Sequence, residues 1–248
     1  MVGRPSVAAV LGRSADQSAE VEPDISAYPS RLMRATSQLT RMSANVAAQA
    51  IASSGVDPCT IQSVFGSAFG EVAIAIEQLE MMVSGDGKIS PLGFSNSVHN
   101  TAAGVFSVAT ENRSMSTSLA AGQLTVGYAI LEAQAMLDEG VPHVLVVVAD
   151  ETLPEPLHAL GPWPAFAAAF VLGRDVPPAG GRSIGPVHDC ADPVSDTPEE
   201  LAGHPCRGAY ALLSALHQPN ASSVVLSSER GRGLALSVHA ERSGTSNE

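Results

Sequence analysis

Residues 115–150, MSTSLAAGQLTVGYAILEAQAMLDEGVPHVLVVVAD, constrain the fold more than any other stretch of the chain. Residues 115–119 alternate in polarity and read as a short strand. Ala120, Ala121 and Gly122 turn the chain into an apolar helix that starts near Gln123. Gly140 and Pro142 stop that helix after about four turns. The unbroken apolar run 144–148 then has the composition of a strand buried on both faces. Strand, sharp turn, helix and buried strand make a βαβ unit. The turn faces the free N–H donors of the helix N-terminus, which is where folds of this kind hold a reactive group. The residue in that place is Gln123.

The flanks alternate in the same manner. Strands are expected at residues 6–11, 61–68 and 165–172, and helices at 32–53, 71–83 and 98–110. In the helix at 32–53, Leu32, Leu39, Met42, Val46 and Ala50 fall near one face. In that at 71–83 the apolar side is Val72, Ile76, Leu79 and Val83. Residues 14–29 read as a surface loop, 88–97 as irregular, and 151–164, proline-rich, as another loop. Residues 176–204 look the least ordered. A short helix at 207–217 and a hairpin of 222–226 with 234–238 follow. The expectation is an α/β chain: a layered mixed β-sheet with helices and a short C-terminal hairpin extension. Residues 1–240 form one domain, and residues 241–248 a disordered tail.

Charge narrows the function. A net charge of −12 argues against nucleic acid or an anionic membrane as the main partner. Cys59, Cys190 and Cys206 are unevenly spaced and form no CxxC pair, so reduced thiols are expected. No ligand spacing for a metal and no motif for a cofactor is found. Without an apolar leader or a bilayer-length apolar run, a cytoplasmic location is expected.

Two runs carry a family resemblance. KISPLGFSNSVHNTAAG (88–104), followed by SMSTSLAAGQ (114–123), resembles the corresponding part of β-ketoacyl synthases of the thiolase fold. In those enzymes an asparagine opens a small-residue helix. A fixed distance later, a strand leads into a nucleophile elbow bearing the active-site cysteine. Counted without a gap from Asn100, the cysteine position falls on Gln123, and counting back from Gly140 gives the same residue. GSAFGE (66–71) resembles the synthase turn that lies against the acyl tunnel. Phe69, Gly66 and Gly70 are therefore the tunnel and chain-length candidates. The resemblance covers residues 6–173 and implies a thiolase-like half.

The departures matter as much. The cysteine is absent, and no glycine-rich motif with a catalytic histidine follows residue 172. The chain resembles β-ketoacyl synthase-like N-terminal domains, a family that includes chain-length-factor partners of active synthases in polyene and aryl-polyene type pathways. An amide has no usable nucleophile and does not titrate, but it donates through its NH2 and accepts through its carbonyl. The resemblance thus implies a non-catalytic subunit, paired as a heterodimer with an active β-ketoacyl synthase. It would shape the acyl tunnel in fatty acid or polyketide-type polyene biosynthesis. The subunit contact would run through Asn100 and through Ser116, Thr117, Ser118 and Leu119. Acyl carrier proteins are acidic, so their docking is expected mainly on the partner.

Two alternatives stand beside this. One is an autonomous malonyl-thioester decarboxylase using Gln123. The other is a purely stabilising scaffold. At the level of the residue, Gln123 is expected to cap its own helix and fill the old pocket, with a hydrogen bond across a subunit contact and assisted decarboxylation as the other readings. The faces that a second half would cover must be closed by a self-dimer, a heterodimer or a local cover built from residues 176–238.

Overall fold

Two strands of small apolar residues set the layers. The computed structural model describes residues 8–16, 23–34, 36–84, 87–174, 182–191, 197–220 and 222–239. Within these, β4 (His143–Asp150) and β5 (Phe166–Gly173) pair antiparallel along their full length. Side chains alternate across a strand, so Val144, Val146 and Val148 face one core cluster while Leu145, Val147 and Ala149 face the other. β5 splits the same way, with Phe166 and Phe170 opposite Ala167 and Val171. Each fully buried Val, Leu or Phe contributes about 2 kcal/mol.

The remaining strands extend this centre. β1 (Ala8–Asp16) lies beside β5, antiparallel to it. β2 (Gln62–Gly66) and β3 (Ser116–Leu119) run parallel to β4 on its other side. With β6 (Arg182–Ile184), β7 (His188–Ala191), β8 (Ser222–Glu229) and β9 (Arg232–His239), the order is β3-β2-β4-β5-β1-β6-β9-β7, and β8 pairs with β9. Among the described residues β3 is an edge. The layered mixed sheet expected from the sequence is present.

Helices cover both faces. α1 (Ser30–Met33) and α2 (Gln38–Ser54) come first, then α3 (Val72–Ser84), α4 (Pro91–Asn96) and α5 (Thr101–Ala109). α6 (Thr125–Asp138) and α7 (Arg207–His217) complete the set. α2 and α5 bury Met42, Val46, Ala50 and Phe106 in one cluster. α6 and α7 bury Ile130, Ala133, Leu212 and Leu216 in the other.

Several expectations need correction. The first strand does not stop at 11 but continues to Asp16, inside the expected loop, because its backbone stays paired with β5 as far as Asp16–Ala167. The helix expected at 32–53 is two helices. The Ser37 hydroxyl accepts the Thr40 N–H at 2.9 Å and starts a new one. The stretch 88–97 is not irregular throughout. Ser90 caps α4 and Pro91 opens it, the position where proline is best tolerated. Within 176–204, β6 and β7 find partners on β9, so that segment carries sheet. The expected hairpin is there, and longer. Arg230 and Gly231 both have positive φ (52° and 77°), as the tight two-residue turn between twisted strands requires. The expected tail at 241–248 lies outside the described residues.

Of the three ways to cover the half fold, the local one closes the α6 face. Leu236 and Val238 of β9, Val224 and Leu226 of β8, and α7 all join the cluster around α6. α7 approaches β8 through Gly208, where a Cβ would stand 1.6 Å from the Leu226 carbonyl oxygen. The other side is closed by α2 and α5, and α3 is the exception. α3 buries only Gln78 among its residues, and its periodic apolar face looks outward, with Leu79 59% and Val83 88% exposed.

Candidate functional site

Gln123 does stand at the strand-to-helix bend. β3 ends at Leu119, Gly122 takes φ +54°, and a 3₁₀ turn at Gly122–Leu124 delivers the chain into α6. A positive φ at Gly122 is what allows so sharp a turn. The expected self-capping by Gln123 is not found. Thr125 does that work: its hydroxyl donates to the Gly122 carbonyl (2.7 Å) and accepts the Ala121 N–H (3.0 Å). Gln123 reaches away from its own helix and donates from Nε2 to the carbonyl of Gly203 (2.8 Å). Its Oε1 is buried with no hydrogen-bond partner. A second bond crosses the same seam. The Gly127 N–H, in the first turn of α6, donates to the Ser227 hydroxyl of β8 at 2.7 Å. Both tethers come from the C-terminal segment, at sequence separations no local pattern reveals.

Behind the elbow lies a buried acid. Asp150, the last residue of β4, accepts from the Ser67 hydroxyl (2.7 Å) and from the Ala68 and Phe69 N–H groups (3.0 Å each). The Cys206 thiol donates to its other side at 3.4 Å. Burial pushes the Asp150 carboxyl up, and the hydrogen bonds to the Ala68 and Phe69 backbone and to Ser67 oppose it. Burial, with the Asp150 charge adding, holds the Cys206 thiol well above the ordinary range, so it is no nucleophile. His204 accepts the Cys206 N–H on Nδ1 (2.9 Å), which puts its proton on Nε2. Burial lowers it to about 4, so it is neutral. Its ring lies edge-on to Trp163 (5.7 Å) and Phe166 (5.9 Å).

A pair of acids guards the start of α3. Glu71 accepts from the Thr40 hydroxyl at 2.6 Å, and Glu151 lies at 3.4 Å from the Ala73 N–H. Burial first, and the Glu71 charge second, raise Glu151 to about 7. Burial raises Glu71 as well. Sequence reasoning passed over Asp150, Glu71, Glu151 and His204. The one available signal was two acids ending an apolar run, at Asp150 and Glu151.

The other candidates are placed as follows. Phe69 rests on Trp163, with ring centroids 6.0 Å apart. Gly66 closes β2 where a Cβ would meet Thr125 Cγ2 at 3.0 Å and Val148 Cγ1 at 3.2 Å, so α6 can start close against the sheet. Gly70 has φ +60° and touches His99, whose Nε2–H donates to the Ser67 carbonyl (2.9 Å). A cavity of about 10 Å³, lined by Gly66, Ser67 and His99 among others, has room for about one water. Asn100 precedes α5 but its side chain makes no capping bond, and it is exposed. Ser116, Thr117, Ser118 and Leu119 pair with β2 on one side, where the Ser63 hydroxyl donates to Ser116 Oγ at 2.9 Å. Among the described residues no helix is long and apolar enough to cross a membrane, and no trio of His, Cys, Asp or Glu is placed to hold a metal.

Known proteins can now be set beside this geometry. The model of the family described as "Beta-ketoacyl synthase, N-terminal domain" matches residues 11–183. No curated protein sequence matches the chain. Among solved structures, it is similar to the complex of a ketosynthase (ApeO) with its chain length factor (ApeC) from Xenorhabdus doucetiae. The TM-score is 0.68 at 19% identity, over 90% of this chain and 86% of that one. It is similar to the ishigamide ketosynthase/chain length factor, at TM-score 0.71 and 11% identity, over 95% and 100%. A third is the AntDE:AntF assembly, a type II acyl-carrier protein in complex with its ketosynthase bound to the hexaketide. There the TM-score is 0.70 at 13% identity, over 95% and 99%. These likenesses show the fold, a thiolase-like ketosynthase half.

Proposed function

The chain belongs to the β-ketoacyl synthase N-terminal domain family, and from that premise we propose that it is a non-catalytic subunit of the chain-length-factor type. It pairs with an active β-ketoacyl synthase and shapes the end of the tunnel that receives the growing chain in polyketide- or fatty-acid-type polyene synthesis. The observation that carries this reading is the elbow itself. It holds an amide, already committed to the Gly203 carbonyl, where acyl transfer needs a thiolate. The free thiols do not substitute for it: Cys206 is buried against Asp150, and Cys59 is exposed, its thiol raised chiefly by its contact with Asp57. The similar assemblies named above include a ketosynthase with its chain length factor, which supports the choice of partner.

The partner contact is assigned to Asn100 and the β3 residues Ser116, Thr117, Ser118 and Leu119. Among the described residues that edge is open, and Met115, which precedes it, is 54% exposed, as are Val98 (42%) before α5 and Val108 (67%) on it. An unpaired strand edge with apolar neighbours favours pairing with another chain. The synthase supplies the nucleophile and histidines, and takes the acidic carrier protein, since this chain carries a net −12. An autonomous decarboxylase would need free donors at the elbow to hold an enolate, and the Gly127 N–H is occupied.

Two measurements test the proposal. Co-expression with a β-ketoacyl synthase should yield a stable 1:1 complex, and a chain that never co-purifies with one refutes the pairing. In an active complex, Phe69→Ala should lengthen the product; an unchanged product leaves the chain a scaffold that touches no substrate.

A further inference from the structure

We infer that the elbow is closed from within, by the chain's own C-terminal segment, so that a thiol restored at position 123 stays silent. This rests on the reading that Gln123 stands at the nucleophile position. It goes further in assigning the silence to two separate causes, the missing sulfur and a permanent plug.

Three contacts make the plug. The Gly203 carbonyl points at the residue-123 side chain and accepts its amide N–H at 2.8 Å. The Ser227 hydroxyl takes the Gly127 N–H at 2.7 Å. The Leu234 side chain lies on Gly127 so closely that a Cβ there would meet Cδ1 at 2.6 Å. β8 is irregular between Val225 and Ser227, which aims the serine at α6 rather than along the ladder. The consequence is electrostatic. A helix N-terminus lowers a thiol's pKa, and stabilises an oxyanion, through N–H groups left free there. Here one such donor is taken, and a carbonyl dipole faces the side chain, which disfavours a thiolate. His204, next to Gly203, does not serve as base, because its Nδ1 already accepts the Cys206 N–H.

The experiment uses the full chain carrying Gln123→Cys, with the exposed Cys59 as internal reference. Alkylation by iodoacetamide, read by peptide mass spectrometry, should be at least about tenfold slower at 123 than at Cys59. Incubation with acetyl or malonyl N-acetylcysteamine thioesters should leave no acyl adduct at 123. An adduct there, or alkylation as fast as at Cys59, overturns the inference. Adding Ser227→Ala and Leu234→Ala should then speed alkylation at 123 by about tenfold or more, and no acceleration overturns it as well. Hydrogen exchange on the unmutated chain gives an answer independent of folding of the variants. The Gly127 amide should be protected, and exchange at the free-peptide rate contradicts the plug. Failure of the synthase pairing would show in co-purification and in none of these readouts.

Discussion

The α6 face of the sheet and the α3–α4 helix pair end differently. On the α6 side, α7 and the β8–β9 hairpin complete a core in which Leu212, Leu226 and Leu236 are wholly buried. On the α3–α4 pair, Leu79, Met82, Leu92 and Phe94 remain half or more exposed, and among the described residues β3 has no partner on its outer edge. Both regions carry apolar helices. Both faces of the sheet are covered by the chain's own helices, and among the described residues it is the α3–α4 surface that nothing covers. What separates them is the presence of a covering element, not hydrophobicity.

The sharpest way to break this contrast is through two glycines. Gly208→Val puts side-chain atoms into the Leu226 carbonyl and should cost about 4 kcal/mol or more, read by denaturant unfolding. Gly104, on α5, has open space around its Cβ position. Gly104→Ala should be neutral or stabilising by up to about 1 kcal/mol in the isolated chain. A bulky Gly104→Leu should leave the isolated chain folded yet weaken its complex with a synthase. Equal costs at the two glycines would erase the distinction between closed and open faces.

Leucine truncation sharpens it next. Leu212→Ala should cost about 3 kcal/mol, and Leu79→Ala less than about 0.5 kcal/mol. A large loss at Leu79 in the isolated chain would mean that α3 is covered after all.

Acidity probes the border between the sides. Folding favours the protonated form of Glu151, so its contribution is present below its ordinary 4.5 and is lost as pH rises through about 7. Glu71 and Asp150 face it with like charge, and His99 faces Glu71. His204 works in the opposite sense. It stays neutral down to about 4, so its contribution is present above its ordinary 6.5 and is lost as pH falls towards 4. The two slopes oppose one another between about 4.5 and 6.5, and Glu151 dominates above. Glu151→Gln should therefore gain stability over the parent as pH rises from 5 to 8, by roughly 2 kcal/mol once relaxation is allowed for. Parallel thermal-melting profiles for the two proteins would refute it.

What could be read beforehand follows from range. The alternation in β4 and β5, the stop at Gly140 and the amide at position 123 are local patterns, and each lies where its pattern placed it. The break between Met33 and Gln38 escaped because the apolar spacing of Leu32 and Leu39 runs across it, while Ser37 was free to cap. The outward turn of α3 escaped because periodicity reports that a face is apolar, not what meets it. Gly203 and Ser227 escaped for another reason. They join the elbow from 80 and 100 residues away, through main-chain and hydroxyl groups that carry no distinctive signature. Asp150 was visible only as an acid ending a valine run; its cradle of N–H groups comes from the distant turn at residues 67–69.

The central claim is that this chain serves a synthase without doing chemistry, and turnover with and without the amide tests it most directly. With an active β-ketoacyl synthase, its carrier protein and malonyl units, product should require this chain, and Gln123→Ala should support product at close to the parent rate. Thioester turnover by the isolated chain, abolished by Gln123→Ala, would contradict the account.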